Sequence, residues 1–249
     1  MTSHWPTSSK ALAAFKTLAA GLCLAGNLWG GVVSGKVDLR DSRDPGVRRR
    51  QNYSGVVVSL TPEGPAPVRS EPVRHLKILQ KDKEFVPHVL AIPVGSFVDF
   101  PNLDPIFHNA FSSYSGQIFD VGLYPPGGSR SVQFSRPGVV RVFCNIHSAM
   151  SAMIVVLATP YFAVSKEDGS FTLDNVPEGE YTLRVVHERS SEDALRGLTR
   201  LVTVPKTSLV LPPITISEGG YLSTPHKNKY GREYEPDSAG HMMYPSPVK

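Results

Sequence analysis

Only two cysteines stand in the 249 residues. That is too few for a disulfide scaffold, and too few for a four-thiolate zinc or iron–sulfur site. One-sided charge is also missing. The 26 Lys and Arg are nearly balanced by 22 Asp and Glu, for a net charge of +4. Nucleic-acid binders gather basic residues on one face far more strongly, so no nucleic-acid partner is expected. Charged residues make up only 19% of the chain and apolar ones 41%. That excludes wholesale disorder and allows a sizeable core. Catalytic signatures are lacking as well. There is no G-x-S-x-G, P-loop or G-x-G-x-x-G, and His187-Glu188 lacks the second histidine of H-E-x-x-H. No enzymatic activity is expected.

Sustained helical periodicity is absent. The one helical hint is Ser190–Gly197 (SSEDALRG), where a serine can cap, acids follow and a glycine stops. What the chain has instead is 21 glycines and 22 prolines. Between these turn formers lie short apolar or alternating runs, which read as strands. The runs are Gly55–Leu60, Val89–Pro93, Ser96–Phe100, Ser131–Ser135, Val139–Cys144, Ala152–Ala158, Ser170–Leu173, Tyr181–Val186, Leu198–Val204 and Leu209–Ile216. Strands this short at this spacing predict an all-β fold of sandwiches or barrels.

The amino terminus reads as an export signal. Lys10 and Lys16 precede an uncharged stretch, Thr17–Val33, with small residues at its end. Cleavage after Ala25 or Gly26 would remove residues 1–26 and place the protein in the periplasm. The alternative is an uncleaved anchor, for which this stretch is short. After cleavage no stable membrane span is expected. Cys23 leaves with the signal, so the exported chain keeps Cys144 alone. A lone thiol there is free, intermolecular or a metal ligand.

The densest chemistry lies where charge is thinnest. Val86–Ala158 carries three basic and three acidic residues in all. Within it, Val139–Met153 reads VVRVFCNIHSAMSAM. A strand runs into Cys144, His147 follows at C-x-x-H and Met150 at H-x-x-M. Upstream, Asp104–Ser112 (DPIFHNAFS) supplies His108. Two imidazoles, one thiolate and a weak thioether suit a single blue (type 1) copper. A soft thiolate and borderline imidazoles hold both Cu(I) and Cu(II). Met153 is the rival thioether, but its parity in the returning strand favours core packing. His88, His187, His226 and His241 read as structural or solvated.

These residues resemble the cupredoxins. The His-Asn pair and the C-x-x-H-x-x-M loop look like the copper motif of amicyanin. The stretch FDVGLYPPGG through IVVLATPYF is similar to bacterial plastocyanin-like proteins labelled methylamine utilisation proteins. The resemblance implies a cupredoxin Greek-key sandwich over 71–158, with His108, Cys144 and His147 as equatorial ligands and Met150 as the axial one. It also implies that the Asn109 side chain ties the first-histidine loop to the cysteine loop. Amicyanin-type loops place prolines around the second histidine. Here Asn145-Ile146 and Ser148-Ala149 stand instead, which implies a less rigid loop.

A second resemblance lies in FAVSKEDGSFTLDNVPEGEYTLRVVHE. Its D-G-x-F-x-L and V-P-x-G-x-Y-x-L are similar to carboxypeptidase-regulatory-like, transthyretin-like sandwiches. Two further strands of that type, Val33–Val37 and Gly55–Leu60, stand far upstream. The expected arrangement is a discontinuous sandwich, 32–70 plus 159–217, into which the cupredoxin unit is inserted. Glu218–Lys249 is expected to be a disordered tail. The function implied is single-electron transfer between periplasmic redox partners. The alternatives are a copper store or delivery factor, and an envelope interaction protein with structural copper. Electrons would leave through His147, whose sequence neighbours are uncharged, with the basic run Arg48–Arg50 as the other docking region.

Overall fold

The computed structural model describes residues 30–64, 73–113, 116–219 and 226–234. The export segment read from the sequence lies outside them. Among the described residues no helix is long and apolar enough to cross a membrane.

The strand Gly31–Arg40 alternates buried Val33, Val37 and Leu39 with more exposed residues. This period of two puts one face of the strand in a core. On one side it pairs antiparallel with Ser170–Val176, and on the other it runs parallel to Leu209–Val210 and Ile214–Ser217. The run predicted over Leu209–Ile216 is therefore two strands, broken at Pro212-Pro213, where the ring nitrogens have no proton for a ladder. A second sheet faces the first, in the order Phe162–Val164, Val57–Pro62, Gly179–Val186, Arg200–Val204. Leu60, Phe171, Leu173, Tyr181, Leu183 and Ile214 meet between the sheets. Strands from 31–62 thus share both sheets with strands from 162–217. The turn at Asp168-Gly169 lies hard against this core. Gly169 has φ +79°, and a Cβ there would sit 2.3 Å from the Val37 carbonyl oxygen, so a side chain is excluded by conformation and by space.

Residues 75–157 build separate sheets. One joins Ser129–Gln133, Phe97–Pro101 and His75–Lys77; another runs Val89–Pro93, Ser151–Leu157, Gly138–Phe143, Phe111–Ser112, Phe119–Asp120; and Leu79–Lys81 pairs with Glu84–Val86 in a third. Their core includes Ile92, Val98, Phe100, Phe134, Val140 and Ile154.

Ser151–Leu157 joins the two halves. Ala152, Ile154 and Val156 face the core of their own unit, while Met153 and Val155 face the other way. There they meet Val57 and Ala91 in a small apolar cluster between the halves. A strand buried on both faces reads as a continuous apolar run, which AMIVVL is. The rim of this junction is ionic. Glu188 accepts from His88 at 2.8 Å and lies 3.6 Å from Arg141.

Two short helices complete the described residues. Glu192–Gly197 is capped by Ser191, as the sequence indicated. Pro45–Arg50 was not expected. The Asp44 carboxylate accepts from the amides of Gly46 and Val47, and proline opens the first turn. The basic residues Arg48, Arg49 and Arg50 fill its last turn, where the helix dipole favours them.

In the stretch read as a tail, order runs past Ser217. Glu218 is buried and accepts from His187 at 2.7 Å and from Arg189 at 3.1 Å. Residues 226–234 lie against Phe143, Cys144 and Asn145. Residues 220–225 and 235–249 are outside the described set.

Candidate metal centre

The hairpin Gly138–Phe143 and Ser151–Leu157 pairs Phe143 with Ser151 at its end. The seven residues Cys144–Met150 bridge that gap. The Cys144 amide donates to the Met150 carbonyl at 3.2 Å, and the Met150 amide to the His147 carbonyl at 3.1 Å. The loop is therefore tight, with its first and last residues hydrogen-bonded across its base. Cys144 and Met150 are both fully buried and belong to one cluster. Met153, in the returning strand, packs away from it in the junction between the halves.

His108 arrives from another element. It forms an isolated bridge with Tyr124, amide to carbonyl in both directions at 3.2 and 3.0 Å. The preceding loop is pinned by Asn102, which accepts from the Asp104 amide and donates to the Ile106 carbonyl. That turn aims the Asp104 carboxylate at the ring. His108 Nε2 is 2.7 Å from Asp104 Oδ2. The remaining carboxylate capacity accepts from the amides of Asp82 and Lys83 at 2.6 and 2.9 Å. Burial would raise Asp104, but these two amides and the His108 ring hold it below the usual carboxylate range. An ionised Asp104 accepts a hydrogen bond from Nε2–H, which leaves the Nδ1 lone pair of His108 to face inward.

What it faces is the thiol. Cys144 Sγ lies 3.8 Å from His108 Nδ1 and 3.7 Å from His147 Nδ1. One donor atom from each of these three residues falls within 4.8 Å of the others. Metal–nitrogen and metal–sulfur bonds of about 2.0–2.3 Å, spread around one ion, would hold donors roughly 3.5–4 Å apart. The observed spacing fits a single ion between them. His108 and Cys144 are fully buried, whereas His147 is half-buried and is the donor nearest solvent.

Burial pushes the Cys144 thiol up, although the backbone amides of Ile146, Asn109 and His147 point at the sulfur and pull it down. Those amides would stabilise a metal-bound thiolate, whose proton leaves when the metal enters. A buried thiol with a raised pKa is a poor nucleophile. The arrangement suits metal binding better than Cys–His hydrolysis.

The Asn109 side chain departs from expectation. It donates to Asp120 Oδ1 at 2.7 Å and to the Gly122 carbonyl at 3.1 Å, rather than reaching the cysteine loop. The contact with Cys144 comes from the Asn109 backbone amide. The rim of His147 is also less plain than its sequence neighbours suggest. Ile146 is exposed, but the Asn145 side chain accepts from the Lys229 amide at 3.0 Å, and Lys229 Nζ meets Asp120 at 2.8 Å. His226, read as solvated, stacks on Phe143 with centroids 4.0 Å apart. Asp104 was missed as a partner of the site. Its only signal was a carboxylate four residues before His108, in a turn.

No protein-family model matches the chain. No curated protein matches it either. Solved structures do. A copper-containing nitrite reductase from Thermus scotoductus SA-01 aligns with 38% of this chain at 25% identity and a TM-score of 0.32. The alignment spans a quarter of the reductase's own length. A purple cupredoxin from Nitrosopumilus maritimus aligns over 33% of this chain and 99% of its own, at 23% identity and a TM-score of 0.31. A Cu(I) amicyanin variant aligns over 40% of this chain and 98% of its own, at 16% identity and a TM-score of 0.32.

Proposed function

We propose that this is an exported copper protein that carries single electrons between redox partners. The observation that carries the reading is the pair of imidazole nitrogens 3.7 and 3.8 Å from the Cys144 sulfur. His108, Cys144 and His147 would hold the ion, with Met150 as a weak fourth donor from the same buried cluster. A thiolate with two imidazoles and a distant thioether is a donor set that selects copper over harder ions. Bound there, copper supplies a one-electron couple.

The chain's own residues do the rest. Asp104 orients His108 and fixes which ring nitrogen faces inward. The amides of Asn109, Ile146 and His147 address the sulfur. Buried Phe111, Phe143 and Tyr124 keep bulk water from the ligands. These groups are held by contacts within the protein, so little atomic rearrangement would accompany a change in the ion's charge. His147 provides the path to the surface, beside exposed Ile146. Exposed Ile146, flanked by the Asn145–Lys229 contact, leaves a small patch suited to a short-lived contact with a redox protein.

The test is loading followed by cycling. The copper-loaded protein should be coloured by thiolate-to-copper charge transfer, should bleach on one-electron reduction and should recover on reoxidation without loss of metal. Copper that leaves for an apo-acceptor at each cycle would instead favour a delivery role.

A further inference from the structure

The loop Cys144–Met150 contains no proline; its internal bonds close its base and turn the amides of Ile146 and His147 toward the sulfur. Its outer side is held by a segment some ninety residues later. Tyr234 donates its hydroxyl to the Cys144 carbonyl at 2.6 Å. The next residue, Asn145, accepts the Lys229 amide at 3.0 Å. The residue before, Phe143, lies under the His226 ring at 4.0 Å. His226 Nδ1 is 3.1 Å from the same Tyr234 hydroxyl. Three consecutive residues at the thiol are therefore each engaged by His226–Tyr234. Lys229 adds a fourth tie through Asp120, which in turn holds the Asn109 side chain next to His108.

We propose that residues 226–234 form a strap that positions Cys144 for metal binding, with Tyr234 as its principal positioning residue. The strap supplies from outside the rigidity that the loop's own sequence lacks. The Cys144 carbonyl is the group that decides this. Its amide is already spent on Met150, so the Tyr234 bond fixes the other face of the same residue. Fixing both faces restricts the Cα–Cβ direction, and with it the placement of the sulfur between the two imidazoles. The segment folds back on itself for this purpose. Asn228 accepts from the amides of Tyr230 and Arg232, and Gly231 takes the positive φ at the tip.

This inference rests on the proposed metal centre, but it has a readout that needs no metal. In full-length, metal-free protein, Tyr234→Phe keeps the ring and removes only the hydroxyl. Amide hydrogen exchange at Ile146, His147 and Met150 should accelerate by roughly tenfold, the signature of a lost hydrogen bond that held a local opening. Copper affinity, measured by competition with a chromophoric chelator, should fall about 10- to 100-fold, as for other outer partners of metal ligands. The charge-transfer band should shift or broaden. Glu233→Gln is the control on the same segment, because the Glu233 side chain is 75% exposed and pairs with exposed Lys227 at 4.0 Å. It should change none of these. Exchange and affinity in Tyr234→Phe within twofold of wild type would overturn the strap. Wild-type protein that binds no copper would overturn the metal reading instead, and the exchange comparison would still decide the strap.

Discussion

Replacing Asp104 by Asn tests how the first histidine is held. The carboxylate accepts three hydrogen bonds: from the Asp82 amide on Oδ1, and from the Lys83 amide and His108 Nε2 on Oδ2. An amide can serve two of them at best. Oriented with its oxygen toward Lys83 and His108, it turns an NH2 toward the Asp82 amide, donor against donor. Oriented the other way, it disrupts two bonds, one of them to the ring. Asp104 is only 7% exposed, so water does not readily replace the lost partner. A hydrogen bond to a charged group contributes about 1.5–3 kcal/mol, and a stranded buried donor costs a similar amount. Asp104→Asn should therefore lose about 2–4 kcal/mol of stability in urea unfolding of the metal-free protein. Copper affinity should fall about 10- to 100-fold in chelator competition, because His108 is no longer fixed in tautomer or orientation. Stability within about 0.5 kcal/mol of wild type and affinity within twofold would show that the carboxylate does not hold the ring, and the reasoning would fail.

Three other outcomes are expected. Met150→Leu should keep copper and raise the reduction potential, since a weak donor is removed; Met153→Ala should leave the potential in place and cost about 2–4 kcal/mol of stability through the cavity it opens between the halves, and voltammetry with the opposite pattern would reverse the two roles. Glu218 is held at about 2 despite its burial, by His187, Arg189 and Ser42. Its depressed value contributes about 3 kcal/mol that is complete above the ordinary carboxylate pKa and fades as pH falls from 4.5 toward 2; Glu218→Gln should flatten the acid limb of the stability profile, and an unchanged limb would remove Glu218 from it. Ala149→Asp, which adds a charge to an exposed position beside His147, should slow electron exchange with a small cupredoxin, whereas unchanged exchange together with a loss on neutralising Arg48–Arg50 would move the docking face away from His147.

The strands and the grouping of His108, Cys144 and His147 were legible in the sequence for a physical reason. Alternation and turn residues are local signals, and the spacing of Cys144, His147 and Met150 is set within one loop. His108 stood out through its His-Asn pair upstream of the cysteine loop. Contacts between distant segments were harder to see. The Asp104 carboxylate resembles any turn residue until its three donors are brought to it from 82, 83 and 108. Pro45–Arg50 was hidden by its basic run, although Asp44-Pro45 carried both a cap and a first-turn proline. His226, Lys229 and Tyr234 sit in a stretch without periodicity, where composition suggests no packed structure. Their order comes from the surface they cover. Strand parity predicted core packing for Met153, which lies in the cluster between the halves.

The most direct measurement is the optical and EPR spectrum of the copper-loaded full-length protein beside that of Cys144→Ser. The wild type should bind one copper, show an intense visible charge-transfer band and give an EPR signal with the narrow copper hyperfine splitting of a covalent thiolate site, and Cys144→Ser should lose both. A Cys144→Ser protein as strongly coloured as wild type, or a wild type whose copper spectrum shows no thiolate ligation, would contradict the account.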